Sequence, residues 1–260
     1  MSWRPGLVAL DVDGTVVDHQ NTLSPAVHEA ILAIREQGVP VVIATGRAVP
    51  GVYDVLDKLG FREGHGIASN GSVVFEVNPF EVVHSVTFDA REAVRRVLER
   101  VPEALVAVEE IGIGYRVNRA FPHGEITGEI ILDEVERMVS QPVTRVVVRA
   151  PDHSRDEFSS LVEDLGLDGT NYYIGYTAWL DLAPDGVSKA SGLEVVCDRL
   201  GIAAADVLAV GDGNNDVEML QWAGRGVAMG QAPDSLKAVA DAVTGTVEAD
   251  GLATELTRWL

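Results

Sequence analysis

Cysteine, lysine and long apolar runs are scarce in this sequence of 260 residues. Its single cysteine, Cys197, cannot form a disulfide within the chain, which indicates a reducing compartment or a fold that needs no cross-link. No apolar run approaches the ~18–20 residues that span a bilayer. The first run, Leu7–Leu10, stops at Asp11 and is too short for a secretion signal. We therefore expect a cytoplasmic protein.

Basic residues are also few, with 20 Lys and Arg against 40 Asp and Glu, for a net charge of −20. Such a surface repels nucleic-acid backbones and anionic lipid headgroups, so we expect neither nucleic acid nor a membrane as partner. Taken alone, the charge also argues against phosphorylated small molecules. The hydrophobic share of 47% and charged share of 23% are those of a soluble globular protein, and they exclude disordered, collagenous and coiled-coil chains.

Both ends of the chain alternate short apolar runs with helical patterns. Ser24 and Pro25 have the order of an N-cap and a first helical residue, with Gly38 closing that helix. Continuous apolar runs bounded by such helices predict a doubly wound parallel sheet, an α/β core of the Rossmann-like kind. The predicted strands are Leu7–Leu10, Val39–Ala44, Val207–Val210 and Gly226–Met229, and the further predicted helices are Val49–Leu59, Ser188–Leu200 and Asp216–Trp222.

The middle of the chain is richer in strands. Its helices are predicted at Ala90–Arg100 and Ser154–Leu165, where Ser154 and Glu157 have the spacing of a capping box. The predicted strands are Val73–Phe75, Val82–Thr87, Leu105–Glu109, Ile113–Val117, Val143–Arg149 and Tyr172–Leu182. We therefore expect an α+β domain over residues 79–184, inserted into a core domain formed by residues 1–78 and 185–260.

Four clusters of polar residues lie where predicted strands end or helices begin, which is where open α/β sheets carry their chemistry. Each alone has an ordinary explanation as a turn or a helix start, but together they indicate one site. They are Asp11-Val12-Asp13-Gly14-Thr15, Thr45-Gly46-Arg47, Gly186-Val187-Ser188-Lys189 and Gly211-Asp212-Gly213-Asn214-Asn215-Asp216.

The residue types in these clusters suit phosphoryl transfer assisted by Mg²⁺. Several carboxylates at one sheet edge need a cation, and oxygen ligands with a phosphate suit Mg²⁺. Asp11 can accept a phosphoryl group, and Asp13 can protonate the leaving alcohol and then deprotonate a water. Thr45, through its hydroxyl and backbone N–H, and Lys189 can neutralise charge on the phosphate.

These residues resemble the haloacid dehalogenase superfamily of phosphohydrolases, and within it the Cof-like sugar-phosphate phosphatases. The Asp11, Thr45, Lys189 and Asp212 clusters match its four motifs in order, and the insert lies where this branch carries an α+β cap that selects the substrate. Further matches are Ser69-Asn70-Gly71, Val227-Ala228-Met229-Gly230 and Asp250-Gly251. One departure is Gly230-Gln231-Ala232, where the family commonly has Gly-Asn-Ala, and we expect an adjusted loop contact there.

The resemblance implies a role for each site residue. Asp11 is the nucleophile and Asp13 the general acid and base. Mg²⁺ is held by Asp11, the Asp13 backbone carbonyl and Asp212, while Asp216 orients either Lys189 or a metal-bound water. The substrate-binding residues are Thr45, Gly46, Arg47, Lys189 and Asn215, where Arg47 reaches the phosphate or the cap, or forms a surface ion pair.

Hydrolysis of a small phosphomonoester, such as a sugar phosphate or phosphoglycolate, is the expected activity of a monomer or homodimer. A phosphomutase of the phosphomannomutase kind is the alternative, because it shares the Asp-x-Asp pair. A receiver-like module that binds Mg²⁺ without catalysis is disfavoured by the large insertion and the close spacing of Asp11 and Asp13. The negative charge then acts as a size filter, since a cation, Lys189 and Arg47 favour small phosphate esters locally while distant acids repel polymers.

Overall fold

The computed structural model describes residues 3–163, 170–174 and 178–260, and these form two compact units. The first unit extends to Arg47 and also contains Val52–His84 and Ser188–Leu260. The second contains Ala48–Gly51 and Ser85–Val187. Residues 164–165 of one predicted helix and residues 175–177 of one predicted strand lie outside the described residues.

The described ranges contain fourteen strands and nine α-helices. The strands are β1 (Leu7–Leu10), β2 (Val41–Ala44), β3 (His65–Ala68), β4 (Val73–Glu76), β5 (Glu81–Ser85), β6 (Leu105–Glu110), β7 (Gly114–Val117), β8 (Glu129–Leu132), β9 (Val146–Arg149), β10 (Thr170–Ile174), β11 (Trp179–Pro184), β12 (Val207–Gly211), β13 (Arg225–Ala228) and β14 (Ala242–Val243). The helices are α1 (Pro25–Glu36), α2 (Val49–Leu59), α3 (Arg91–Arg100), α4 (Val135–Met138), α5 (Arg155–Glu163), α6 (Lys189–Leu200), α7 (Val217–Trp222), α8 (Asp234–Lys237) and α9 (Gly251–Leu256).

The first unit is built on an eight-stranded sheet of order β14-β13-β12-β1-β2-β3-β4-β5. From β14 to β3 all neighbours are parallel, whereas β3 and β4 form an antiparallel pair. Its central strand, β1, is fully buried, and Leu10 is in register with Val210 on one side and Ile43 on the other. The chain passes to opposite sides of β1 along β2 and β12, which creates a topological switch point at their carboxyl ends. The predicted doubly wound α/β core is confirmed.

Local capping explains where several helices begin. The Ser24 hydroxyl accepts the Val27 N–H at 3.1 Å at the start of α1, and Gly38 has a φ of +80° just after the helix. In the second unit, the Ser154 hydroxyl accepts the Glu157 N–H at 3.3 Å, and a Glu157 carboxylate oxygen accepts the Ser154 N–H at 2.9 Å. These contacts are the predicted N-cap and capping box.

The second unit has a six-stranded sheet of order β10-β11-β9-β6-β7-β8, antiparallel except for the β7–β8 pair. One face packs against helices through a core that includes Val97, Val106 and Phe158. A second, smaller apolar cluster contains Tyr115, whose hydroxyl accepts a hydrogen bond from Arg145 Nη1 at 2.6 Å. This unit is therefore an α+β domain with its own core.

The long segment of the second unit, Ser85–Val187, begins and ends a few residues after the predicted limits of 79 and 184. The physical reason at the first limit is that β5 is the edge strand of the first sheet, next to β4. At the second limit, Val187 still belongs to the second unit and Ser188 is the N-cap of α6. None of the helices in the described ranges is long and apolar enough to cross a bilayer.

Cys197 on α6 gives a direct test of packing in the first unit. The residue is 3% exposed, and burial together with the nearby Asp198 raises the pKa of its thiol to about 11. Because the thiolate is the reactive species, native protein should not react with iodoacetamide at pH 8, whereas protein in denaturant should take up one label. Native labelling at the rate of a free thiol, followed by mass spectrometry, would show that α6 is packed differently.

Candidate active site

A buried lysine joins two of the carboxylates predicted to share a site. Lys189 is the first residue of α6, whose N-cap is Ser188. Its Nζ donates to Asp11 Oδ1 and to Asp216 Oδ1, each at 2.6 Å, and its side chain is fully buried. Burial alone would lower the pKa of Lys189, but the two carboxylates outweigh that effect and raise it. Lys189 therefore stays charged and fixes Asp11, which directly follows β1.

Asp216 is held on both of its oxygens. While Oδ1 accepts from Lys189, Oδ2 accepts the backbone N–H groups of Asp212 at 2.9 Å and Gly213 at 2.8 Å. The approach is close, since a Cβ added at Gly211 would lie 2.4 Å from Asp216 Cγ. Asp216 thus contacts Lys189, one of the two groups that it was predicted to orient, and it also binds the turn that follows β12.

The donor set at this sheet edge fits a hard divalent cation. One oxygen from each of Asp11, Asp212 and Asp216 lies within 4.8 Å of the others, and all three residues are buried. Lys189 supplies one positive charge for three carboxylates. Burial and the charge of Asp216 raise the pKa of Asp11 well above its usual value and that of Asp212 to about 6. Since Mg²⁺ prefers carboxylate oxygens, the Asp11 and Asp212 carboxylates are suited to hold it, and the Asp13 carbonyl stays a predicted third ligand.

Gly14 leaves the space that this arrangement needs. Its φ is +84°, and a Cβ added there would lie 2.1 Å from Asp212 Oδ2. We expect Gly14→Ala to displace Asp212, with weaker Mg²⁺ binding measured by calorimetry and roughly a 10–100-fold loss of activity, the size of the effects seen when a metal-ligand arrangement is disturbed.

Gly38→Ala is the matched control for this substitution. Gly38 has a similar φ of +80°, but an added Cβ would meet nothing within 4 Å. The control should therefore show only the cost of left-handed backbone, about 1–2 kcal/mol. Equal Mg²⁺ binding by the two variants would contradict the close approach of Gly14 to Asp212.

The cluster after β2 differs in one respect from the prediction. The Thr45 backbone N–H, expected to bind phosphate, donates instead to Ile67 O at 3.0 Å. The reason is that β2 pairs with β3 in parallel, so the Thr45 N–H forms a hydrogen bond between these two strands. The Thr45 hydroxyl accepts the Arg47 N–H at 3.1 Å and keeps its own proton to donate. Thr45 is buried at the carboxyl end of β2, so its hydroxyl is the group suited to a phosphate oxygen.

Asp13 and Arg47 form a bidentate ion pair. Arg47 Nη2 donates to Asp13 Oδ1 at 2.6 Å, and its Nε donates to Asp13 Oδ2 at 3.0 Å. Arg47 also contacts Asn21 Oδ1 at 3.0 Å and Asp54 Oδ2 at 3.5 Å. The Asp13 side chain is 62% exposed, unlike the buried Asp11. The Asp13 carboxylate is thus accessible to solvent, and Arg47 contacts Asp13 and its neighbours.

Three amide side chains near the motifs connect neighbouring loops. Asn215, predicted to contact phosphate, donates through Nδ2 to Asn70 Oδ1 at 2.9 Å. Asn70 follows β3 with a φ of +54°, and its side chain lies against Gly46. Gln231 contacts both Gly14 and Asp212. The sequence shows Asn70 and Gln231 only as parts of family-like strings, and their contacts depend on the tertiary arrangement.

Known proteins resemble this chain over nearly its whole length. A family model described as haloacid dehalogenase-like hydrolase matches residues 8–256. A phosphoglycolate phosphatase from Natronomonas pharaonis is 31% identical over 253 residues, covering 96% of each chain. A 5-amino-6-(5-phospho-D-ribitylamino)uracil phosphatase from Bacillus subtilis is 26% identical, covering 97% of each chain. Among solved structures, a phosphatase of the haloalkanoate (HAD) enzyme superfamily from Bacteroides thetaiotaomicron has a TM-score of 0.77 at 28% identity, covering 97% of this chain and 94% of that one.

Proposed function

The chain belongs to the haloacid dehalogenase-like hydrolases and is a phosphatase of that family, and we propose that it hydrolyses small phosphomonoesters by way of a phosphoryl group on Asp11. The observation that carries the proposal is the pairing of a buried carboxylate, fixed by Lys189, with an exposed carboxylate two residues further along the chain. One carboxylate is positioned to attack and the other to exchange protons with water or alcohol.

In the first half of the reaction, a carboxylate oxygen of Asp11 attacks phosphorus. A bond forms between that oxygen and phosphorus, and the bond from phosphorus to the ester oxygen breaks. Asp13 donates a proton to the leaving oxygen, so the product is a neutral alcohol. Lys189 occupies Asp11 Oδ1 and thereby leaves Oδ2 as the attacking atom.

In the second half, Asp13 removes a proton from water, and the resulting hydroxide attacks the phosphorus of the aspartyl phosphate. The bond from phosphorus to the Asp11 oxygen breaks, which releases inorganic phosphate and restores the Asp11 carboxylate, while Asp13 again carries the proton with which it began the cycle. Lys189 and the Thr45 hydroxyl stabilise negative charge on the phosphoryl oxygens. Mg²⁺, held by Asp11, Asp212 and the Asp13 carbonyl, would neutralise the substrate phosphate when bound.

The substrate class follows from charge and from the relatives. A net charge of −20 disfavours long polyanions, whereas a local cation centre favours a small dianion. The named relatives act on phosphoglycolate and on a phosphoribitylamino-uracil, both small phosphate esters. We propose that the second unit selects among such esters. A cytoplasmic location is proposed as well, which the single cysteine supports.

Release of inorganic phosphate from a panel of small phosphomonoesters tests this function. Wild-type protein with Mg²⁺ should release phosphate from at least one ester without a sugar bisphosphate activator, and EDTA should stop the reaction. A terminally phosphorylated oligonucleotide should be a poor substrate. Absence of release from every ester would contradict the proposal, and turnover that requires a bisphosphate would favour the phosphomutase.

A further inference from the structure

Gln231 occupies the loop that follows β13, at the same sheet edge as the carboxylates. The neighbouring backbone is closely packed there: Met229 N–H donates to Gly211 O at 3.0 Å, and Gly230 N–H donates to Gly245 O at 2.9 Å. A Cβ added at Gly230 would lie 2.8 Å from Thr246 N. The loop is therefore confined between the ends of β12 and β14, and the side chain of Gln231 starts from a fixed point.

The amide group of Gln231 joins three loops. Its Nε2 donates to Gly14 O at 2.6 Å and to Asp212 Oδ2 at 3.1 Å. Its Oε1 accepts the Val247 N–H at 3.0 Å. One side chain thus connects the turn after β1, the turn after β12 and the segment before α9. Both protons of the amide nitrogen have acceptors, so the amide orientation is defined.

An amide is chemically suited to this position. It donates to one oxygen of Asp212 without adding charge, which leaves the carboxylate negative for a cation. A lysine or arginine would neutralise Asp212, and a carboxylate would repel it. Because Gln231 Nε2 donates to Oδ2 of Asp212, it holds this carboxylate in one orientation, and Oδ1 does not take part in that hydrogen bond.

We propose that Gln231 is a positioning residue for the metal site: through Gly14 and Asp212 it fixes the spacing of the two loops that hold Mg²⁺. This inference rests on the proposed function, because it takes Asp11, Asp212 and the Asp13 carbonyl as the Mg²⁺ ligands. Groups that hydrogen-bond to ligating side chains typically change metal affinity by roughly 10–100-fold when removed.

Binding of Mg²⁺ to Gln231→Met, measured by calorimetry and by thermal unfolding across a Mg²⁺ titration, tests the inference. Methionine keeps the length of the side chain and loses all three hydrogen bonds. The Mg²⁺ concentration for half-maximal stabilisation should rise roughly 10-fold or more. At saturating Mg²⁺ the KM for the phosphate ester should stay within about two-fold of the wild-type KM, since Gln231 is not assigned to the substrate.

Gln37→Met is the matched control, because Gln37 is exposed at the C-terminal end of α1. Its Mg²⁺ midpoint should equal that of wild type. A purely structural role for Gln231 would lower the unfolding temperature in EDTA and leave the Mg²⁺ midpoint unchanged, and that result would overturn the inference. Absence of any Mg²⁺ response in wild type would overturn the magnesium assignment, and the role of Gln231 with it.

Gln231→Asn keeps the test decisive if the methionine variant does not fold. Its amide ends one methylene short, so it cannot reach Gly14, Asp212 and Val247 together from the same backbone. The Mg²⁺ concentration for half-maximal stabilisation of Gln231→Asn should lie above that of wild type. If Gln231→Met folds, it should lie below the value for that variant. A midpoint equal to that of wild type would again count against the inference.

Discussion

Lys189→Met should lower the free energy of unfolding by about 3–5 kcal/mol, because removing one partner of a buried ion pair leaves uncompensated charge. Here Asp11 and Asp216 would both lose their ammonium partner. Activity should fall at least ~100-fold, the cost of deleting one group that stabilises transition-state charge. Chemical denaturation in EDTA and phosphate release with saturating Mg²⁺ measure the two effects.

Lys237→Met is the matched control for this substitution. Lys237 lies on α8, is only half-buried and forms no ion pair within the described ranges. Its removal should change stability by less than about 0.5 kcal/mol, as for surface substitutions in general. If Lys189→Met and Lys237→Met were equally stable and equally active, the buried lysine would not have the role that its contacts indicate.

Asp11→Asn should reduce the rate of phosphate release by at least about 10⁴-fold, which is the scale of losses for nucleophile removal. Asparagine has nearly the same shape, so the loss would reflect chemistry and not packing. Asp198→Asn, an exposed position on α6, is the control and should retain wild-type turnover. Retention of activity by Asp11→Asn would remove the proposed nucleophile.

The same Asp11→Asn substitution should raise stability when Mg²⁺ is absent. Burial, Asp216 and Asp212 raise the pKa of Asp11, so folding favours its protonated form and the ionised form costs stability above that pKa. The neutral amide avoids this cost. The unfolding temperature in EDTA should therefore exceed that of wild type at pH 7.5, and the difference should narrow as the pH falls toward the raised pKa. A lower unfolding temperature at pH 7.5 would contradict this reading of the site.

Elements with strong local signals were predictable from the sequence. Val49–Leu59 forms a helix over the predicted residues, since its apolar spacing and the following Gly60 define both ends locally. β3 was not predicted. It contains Gly66, where an added Cβ would lie 2.5 Å from the Phe75 ring, so packing against Phe75 requires glycine at this position. β8 was also missed, as it depends on parallel pairing with β7.

The missed strand explains the error at the site. Because the carboxyl ends of parallel strands meet at one edge of the sheet, the sequence predicts that Asp11, Asp212 and Asp216 lie close together, and they do. Without β3, however, the sequence leaves the Thr45 N–H available for phosphate, whereas in the structure the Ile67 carbonyl oxygen of β3 accepts it. Likewise, the partners of Arg47 and Gln231 come from segments distant in the sequence, and only the tertiary arrangement specifies them. Residue types predict the chemistry of this site, and pairing of distant segments decides which groups are available for it.

The most direct test of the account is to trap the phosphoryl group on the protein. Asp13→Asn keeps Asp11 but removes both the acid for the leaving group and the base that activates water. With p-nitrophenyl phosphate, whose leaving group departs without protonation, and Mg²⁺, the aspartyl phosphate should therefore accumulate. After acid quenching, peptide mass spectrometry should place one phosphoryl group on Asp11. Efficient turnover of the ester by wild type with no phosphoryl group on Asp11 in the quenched variant, or with the group on another residue, would contradict nucleophilic attack by Asp11.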